Sequence, residues 1–188
     1  SKNFTEQLIL GNMLADLIED KTDLEVERQL NLGGTKVAYG ALETGEIDAY
    51  VEYTGTLLID VLKQKLETDP EAVYKKVGKM IPEKSQVDVL DPIGFNNTYA
   101  LAMTKEDIKK YDLKTVSDMA AVSNRLILGS TIEFANREDG YLGLKKKYPY
   151  MKFKDVQPVD GGLRYTALTN GKTNVIDSFS TDGLLKKF

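Results

Sequence analysis

Three residue types that often carry chemistry or structure are missing from this chain. Its 188 residues include no cysteine, no histidine and no tryptophan. Without cysteine there is no disulfide framework, no thiol nucleophile and no thiolate metal site. Without histidine there is no Ser-His-Asp chemistry, no zinc site of the His-Glu-x-x-His type and no usual general base near neutral pH. These absences argue against an enzyme, and they leave ten tyrosines and six phenylalanines as the rings available for binding.

The sequence also lacks a basic excess and long apolar runs. Its formal net charge is −4, whereas a general nucleic-acid binder normally carries a surplus of lysine and arginine. No apolar run approaches the roughly 20 residues that a membrane-spanning helix needs. The remaining composition, 41% hydrophobic and 29% charged, is typical of a soluble globular protein.

Helical and strand patterns alternate along the chain, and this alternation predicts an α/β architecture with helices packed on sheets. Asn3 and Glu6 have the spacing of a capping box for a helix that runs to about Asp20. Predicted strands cover 24–32, 47–53, 99–103, 125–129, 151–156 and 174–179, with a short extended run at 86–91. Predicted helices cover 35–44, 57–79 with a break near 69–70, 105–110, 116–121, 140–147 and 163–168, and a polar loop covers 133–140.

Three segments in order along the chain resemble one family, the substrate-binding proteins of ABC importers for glycine betaine, choline, carnitine and related quaternary amines. They are Ser1-Lys2-Asn3-Phe4-Thr5-Glu6-Gln7, Ile47-Asp48-Ala49-Tyr50-Val51-Glu52-Tyr53-Thr54-Gly55-Thr56 and Ile176-Asp177-Ser178-Phe179-Ser180-Thr181-Asp182-Gly183. The resemblance implies a two-lobed clamshell of the type II periplasmic binding proteins. Lobe 1 would comprise 1–97, with 181–188 returning to it, and lobe 2 would comprise 98–180. Because the family has a strand before this opening segment and closing elements after the return, we expect the first lobe to be incomplete in this chain.

The resemblance also implies a function. It predicts an extracytoplasmic solute-binding domain that captures a trimethylammonium compound and presents it to an ABC permease in the membrane, either as a lipid-anchored protein or fused to the permease. Glycine betaine, carnitine, choline and larger betaines such as ergothioneine are the ligands expected, with no cofactor, metal, nucleic acid or catalysis. Two alternatives stay open, an enzyme on the same clamshell fold and a regulatory effector domain.

A quaternary ammonium cannot donate a hydrogen bond, so it is held best by several aromatic faces that exclude water. By resemblance, Tyr53, Tyr99 and Phe179 are the walls of such a cage between the lobes. Family members commonly have tyrosine where Phe179 stands, so here the ring remains and a hydroxyl is lost. Taken alone, Tyr53 also fits an ordinary strand tyrosine packed on a helix.

The carboxylate of a betaine needs cations, hydroxyls or backbone N–H groups a few ångströms away. Thr56, by resemblance, and the cations Lys2 and Arg137 are the candidates for this end of the ligand, and they favour a carboxylate-bearing compound over choline. Arg137 equally fits a salt bridge to the adjacent Glu138 or Asp139. Gln7 and Asn97 are two further candidates for polar contacts with the ligand. Gln7 is equally consistent with an exposed helix residue, and Asn97 with a residue that caps a turn.

Overall fold

The computed structural model describes residues 1–187 and divides into two compact units. The first unit is Ser1–Phe95, and the second begins at Asn96. This division lies two residues before the predicted lobe boundary at 97/98. The predicted return of 181–188 to the first lobe stays a prediction. Within residues 1–187, no helix combines the length and the apolar character that crossing a membrane requires.

The first unit is built from helices. They are α1 (Thr5–Lys21), α2 (Thr35–Glu43), the single turn α3 (Thr54–Thr56) that continues as a π-helix over Leu57–Val61, and α4 (Pro70–Lys84). The prediction that α2 stops at Gly45 is confirmed, since this glycine has a φ of +75° just after the helix end. The predicted break near 69–70 is also confirmed, because Asp69 caps the first turn of α4 and Pro70 occupies its first position.

The strands predicted at 24–32 and 47–53 are wrong, because neither segment forms regular secondary structure. A strand exists only where its backbone pairs with a neighbouring strand. In the described part of the first unit, pairing of this kind is limited to one parallel bridge between Lys2 and Gly33. The backbone there is extended without being part of a sheet.

The second unit is a four-stranded mixed sheet with helices. The strands are β1 (Tyr99–Ala102), β2 (Ile127–Ser130), β3 (Asp155–Pro158) and β4 (Val175–Phe179), in the spatial order β1-β4-β2-β3. β4 pairs antiparallel with β1 and parallel with β2, and β2 pairs parallel with β3. The carboxyl ends of the three parallel strands therefore share one edge of the sheet with the start of β1. The predicted mixed α/β class is confirmed.

Five α-helices and a 3-10 helix (Ser123–Arg125) connect these strands. The α-helices are α5 (Lys105–Tyr111), α6 (Val116–Val122), α7 (Ile132–Asn136), α8 (Tyr141–Lys147) and α9 (Arg164–Thr169). Helix α7 was missed, since the segment 133–140 was expected to be a polar loop throughout. Its N-cap is Thr131, whose hydroxyl accepts a hydrogen bond from the Phe134 N–H. α6 starts with a full capping box between Thr115 and Asp118.

Each unit has its own apolar core. In the first unit, α2, the π-helix and α4 enclose a buried cluster of Tyr39, Leu57, Leu58, Val61, Val73, Val77 and Ile81. In the second unit, the largest cluster includes Leu128, Val175, Phe134 and Met119, with Tyr99 packed against it. Tyr99 is thus fixed from one side by the core while remaining half-buried at the edge of the sheet.

Candidate ligand-binding site

In the first unit, the candidate residues gather around the start of α1. The predicted capping box between Asn3 and Glu6 is wrong: Phe4 is the N-cap residue, and no side-chain hydrogen bond caps the helix. Glu6 instead accepts a hydrogen bond from the hydroxyl of Tyr53. The first turn of α1 is therefore tied to the segment that precedes α3 rather than to its own N-cap.

Gln7 is fully buried and joins two other candidates. Its Oε1 accepts from the backbone N–H of Lys2 at 3.4 Å, and its Nε2 donates to the Tyr53 hydroxyl at 3.3 Å. The structure therefore brings Lys2, Gln7 and Tyr53 together, and it makes Gln7 a positioning contact between the other two. The sequence left open that Gln7 is an exposed helix residue, and this alternative is wrong because Gln7 is fully buried.

The ammonium of Lys2 is enclosed and paired. Lys2 is 5% exposed, and its Nζ forms a salt bridge with Glu52 and donates to the Thr35 hydroxyl at 3.2 Å. The same nitrogen lies 4.8 Å from the centroid of the Tyr53 ring and 5.7 Å from that of Phe4. These two rings stack at 6.3 Å with an interplanar angle of 24°. The chain thus already places one of its own cations on the face of the first predicted cage ring.

Tyr50 lies on the core side of this region. It packs against the cluster of the first unit, and its hydroxyl donates to Glu52 at 2.9 Å. Burial, followed by the nearby Glu52 carboxylate, raises the pKa of Tyr50 far above its ordinary value. This tyrosine is therefore a neutral structural donor that helps to hold Glu52 in place.

In the second unit, two predicted cage rings lie side by side at the edge where the parallel strands end. Tyr99 opens β1 and pairs in register with Phe179, the last residue of β4. Their ring centroids are 5.7 Å apart with an interplanar angle of 30°. Phe134 of α7 meets Tyr99 edge-on at 4.9 Å and 70°. Three rings therefore form one cluster at the edge of the sheet where α/β proteins commonly bind ligands.

Arg137 joins this cluster from the residue after α7. Its guanidinium lies 5.6 Å from the centroid of the Tyr99 ring, and the residue is 4% exposed. It also forms a bidentate pair with Asp139, with Nε donating to Oδ1 at 2.7 Å and Nη2 to Oδ2 at 2.6 Å. Of the two salt bridges left open by the sequence, the one with Asp139 forms, while Glu138 pairs with Lys146. A contact between Arg137 and a ligand carboxylate stays a prediction.

Gly140 and Gly143 allow the backbone around Arg137 to pass close to neighbouring carbonyl groups. A Cβ atom at Gly140 would lie 2.3 Å from the carbonyl oxygen of Phe134, and one at Gly143 would lie 2.0 Å from that of Glu138. Contacts this short with backbone atoms cannot be relieved by rotating a side chain. The loop therefore passes close to α7 and α8 because these positions have no side chain.

A buried ion pair lies under Phe179 and was missed by the sequence interpretation. Arg164 of α9 and Asp177 of β4 have side chains that are 1% and 0% exposed, respectively, and Arg164 Nη1 donates to Asp177 Oδ2 at 2.9 Å. Arg164 also donates to the backbone oxygens of Asp177 at 2.7 Å and Gly161 at 3.1 Å. Its guanidinium carbon lies 4.5 Å from the centroid of the Phe179 ring. Arg164 thus connects α9, the end of β4 and the third predicted cage ring.

Asp177 is also fixed from the other side, by Thr131. The Thr131 N–H donates to Asp177 Oδ1 at 2.9 Å, and its hydroxyl donates to Oδ2 at 3.0 Å. Burial raises the pKa of Asp177, while Arg164 and the Thr131 hydrogen bonds act in the opposite direction. A signal for this pair was present in the sequence: an aspartate within the apolar strand Val175–Phe179 requires a buried partner.

Asp182 binds the last residue of β4 through a hydrogen bond. One of its carboxylate oxygens accepts from the backbone N–H of Phe179 at 3.0 Å and from the Tyr165 hydroxyl at 2.9 Å. Burial, then this hydrogen bond, raises the pKa of Tyr165 above its ordinary value, so that it remains a neutral donor. These bonds fix the backbone that carries the Phe179 ring.

The eight predicted site residues thus fall into two groups, one in each unit. Lys2, Gln7 and Tyr53 are in contact in the first, and Tyr99, Arg137 and Phe179 in the second. Thr56, at the end of α3, and Asn97, two residues before β1, are both half-buried, and their roles stay predictions. The described side chains contain no cluster of acidic residues suited to a metal ion.

Comparison with known proteins places these features in a family. The family model for the substrate binding domain of ABC-type glycine betaine transport systems matches residues 1–188. The carnitine transport binding protein OpuCC of Listeria monocytogenes (serotype 1/2a, strain 10403S) is 39% identical over 186 residues, which make up 98% of this chain and 60% of that protein. The ergothioneine transport permease/ergothioneine binding protein EgtU of Helicobacter pylori (strain G27) is 36% identical over 188 residues, which make up 100% of this chain and 33% of that protein.

A solved structure gives the same result for the fold. The crystal structure of a glycine betaine/carnitine/choline ABC transporter superposes with a TM-score of 0.65 at 37% sequence identity, covering 100% of this chain and 70% of that one. The chain spans 60% of the length of the Listeria relative. The match over the full chain to the family model and the structural match agree with the resemblance of its three motifs. The chain belongs to the family of substrate-binding domains of ABC-type glycine betaine transport systems.

Proposed function

We propose that this chain is the ligand-capturing part of a quaternary-amine importer and that it binds a trimethylammonium compound without transforming it. Glycine betaine, carnitine, choline and a larger betaine such as ergothioneine are the candidate ligands. The names of the relatives support this range, since one is a carnitine-binding protein and another an ergothioneine-binding protein.

The observation that carries the proposal is the cluster at the sheet edge of the second unit. Tyr99 and Phe179 lie in register on neighbouring strands, and each has an arginine guanidinium over its ring, at 5.6 Å and 4.5 Å from the centroid, respectively. Tyr53 of the first unit carries the ammonium of Lys2 in the same way. Each of the three predicted cage rings thus packs against a cation of the chain itself, which supports a cation-binding role for their faces.

In the proposed complex, Tyr53, Tyr99 and Phe179 surround the ammonium as an inter-lobe cage, and Arg137 and Thr56 interact with the carboxylate. Gln7 contributes by fixing Tyr53, and Lys2, which like Arg137 also pairs with a carboxylate of the chain, is a further candidate for the ligand carboxylate. Asn97 lies beside the crossing into the second unit and is a further polar contact. The arrangement requires both ends of a zwitterion, so a trimethylammonium carboxylate should bind more tightly than choline.

We further propose that the domain works outside the cytoplasm and passes its ligand to an ABC permease. The Helicobacter relative supports this, since its name combines permease and binding protein in one chain. A domain of this kind is either fused to the permease or anchored beside it.

Calorimetric titration of the intact protein with glycine betaine, carnitine, ergothioneine and choline tests the ligand class. We expect saturable binding of at least one trimethylammonium carboxylate and weaker binding of choline. Equal or tighter binding of choline would contradict the roles of Arg137 and Thr56. Turnover of any of these compounds would instead favour an enzyme.

Tyr99 tests the cage itself. A cation over a ring face at a desolvated site is worth roughly 1–2 kcal/mol, so Tyr99→Ala should weaken binding about tenfold or more, while Tyr99→Phe keeps the ring and should cost little. Tyr150→Ala is a matched control in the same unit, because Tyr150 is 58% exposed and lies in the turn after α8. Unchanged affinity in a Tyr99→Ala protein that melts normally would refute the cage at this position.

A further inference from the structure

The guanidinium of Arg137 is paired with a carboxylate of the chain itself. Asp139 takes two of its N–H groups in the fork geometry with which arginine binds a ligand carboxylate. Arg137 is 4% exposed, whereas the side chain of Asp139 is 25% exposed. Asp139 therefore neutralises the cation proposed to attract a betaine, and it does so from a position that solvent reaches.

The same arrangement recurs at each predicted cage ring. Lys2 over Tyr53 is paired with Glu52, Arg164 over Phe179 with Asp177, and Arg137 over Tyr99 with Asp139. In the first two pairs both side chains are at most 6% exposed, and their carboxylates accept several hydrogen bonds from the surrounding backbone and side chains. Asp139 differs because its side chain is partly exposed. It is the carboxylate whose charge can be changed with the least effect on the fold.

We propose that Asp139 is a specificity-determining residue: its negative charge weakens the preference of the site for ligands that carry a carboxylate. This inference rests on the proposed function, because it concerns how the same site distinguishes its ligands. Asp139 repels a ligand carboxylate that approaches Arg137 and attracts a ligand ammonium held near Tyr99. Because both ligands carry the ammonium, its attraction cancels in their comparison, and the repulsion of the carboxylate brings choline closer in affinity to a betaine.

The size of the effect follows from Coulomb's law. At an effective dielectric constant of about 20, a unit charge about 10 Å away changes binding by roughly tenfold. Salt screens part of this interaction at an exposed position. Removing the charge of Asp139 should therefore increase the ratio of the choline Kd to the glycine betaine Kd by roughly fivefold or more.

The test compares Asp139→Asn with the wild type in the intact protein by calorimetric titration with glycine betaine and with choline. Asparagine has the same shape and keeps one acceptor oxygen for Arg137, so the change mainly removes charge. Glu138→Gln is a matched control, because it removes the same charge one residue away from a side chain that is 57% exposed and paired with Lys146. Its ratio of the two dissociation constants should stay within about twofold of the wild type. Thermal melting of both variants establishes that they are folded.

Each possible result either supports or overturns the proposed effect of Asp139 on ligand preference. A fivefold or larger rise of the ratio in Asp139→Asn, without a comparable rise in Glu138→Gln, supports the inference. An unchanged ratio would overturn it and leave Asp139 a structural partner of the loop. A ratio that falls, through weaker glycine betaine binding, would also overturn it and show that Asp139 mainly orients Arg137. If the wild type binds carnitine or ergothioneine instead of glycine betaine, that ligand takes the place of glycine betaine in the ratio. If it binds no trimethylammonium compound, the proposed function fails and this inference with it.

Discussion

Replacement of Arg164 by methionine should strongly destabilise the second unit. Arg164 and Asp177 have side chains that are at most 1% exposed, and Arg164 donates to the carboxylate and backbone oxygen of Asp177 and to the backbone oxygen of Gly161. Arg164→Met would leave a buried carboxylate without its cation. Loss of one partner of a buried ion pair typically costs about 3–5 kcal/mol of unfolding free energy.

The loss should also depend on pH. Burial raises the pKa of Asp177, and Arg164 opposes that rise, so removing Arg164 raises the pKa further. A carboxyl with a raised pKa in the folded state binds its proton more tightly there than in the unfolded chain, so the folded state gains relative stability as pH falls. The variant should therefore lose less stability at a pH of about 5 than at about 7.5.

Urea denaturation at both pH values measures these free energies. The double variant Arg164→Met with Asp177→Asn has no unpaired buried charge. Its loss of unfolding free energy should therefore be smaller than the sum of the losses in the two single variants, by a coupling energy of about 0.5–3 kcal/mol. A loss below about 1 kcal/mol for Arg164→Met at neutral pH, or additive costs in the double variant, would refute the assignment of this pair as a buried electrostatic contact.

Two further predictions concern stability and follow from contacts elsewhere in the chain. Gly140→Ala should lower the free energy of unfolding by about 1–3 kcal/mol or more, because its Cβ atom would lie 2.3 Å from the Phe134 carbonyl oxygen. Gly78 lies in α4 with open space around it, so Gly78→Ala should instead raise the free energy of unfolding by roughly 0.5–1 kcal/mol in the same denaturation assay. Equal effects of the two alanines would contradict the close approach at Gly140. Lys2→Met should cost about 3 kcal/mol or more by stranding the buried Glu52, and a thermal melt like that of the wild type would contradict that pairing.

Most of the helices could be predicted from the sequence because their signals are local, although α7 was missed and the predicted cap of α1 is wrong. Gly45, Asp69 and Pro70 mark helix ends through their own backbone preferences and hydrogen bonds, and the structure uses them as expected. The strands of the second unit were also predicted, with shifts at their ends. The segments 24–32 and 47–53 were predicted to be strands because their pattern is that of strands. A pattern does not show whether a partner strand is present, and within residues 1–187 none pairs with these segments.

The candidate site was predicted in part, and for a similar reason. The motifs pointed to Tyr53, Tyr99, Phe179 and Arg137, and the structure places a cation over each of the three rings. The partners of those cations are set by tertiary contacts. Arg164 is distant from Phe179 in sequence, so its place under that ring follows from the packing of α9 on the sheet and not from spacing.

The pairing of β1 with β4 has a further consequence for protein engineering, because it brings two distant points of the chain together. Within the second unit, Thr98 precedes β1 and Ser180 follows β4, and these residues exchange two hydrogen bonds, at 3.1 Å and 2.9 Å. A segment whose entry and exit lie side by side can be inserted into, or removed from, a host loop without stretching either connection. The segment 98–180, which contains all four strands of the sheet, thus has adjacent ends and is suited to grafting between related proteins while the sheet stays intact.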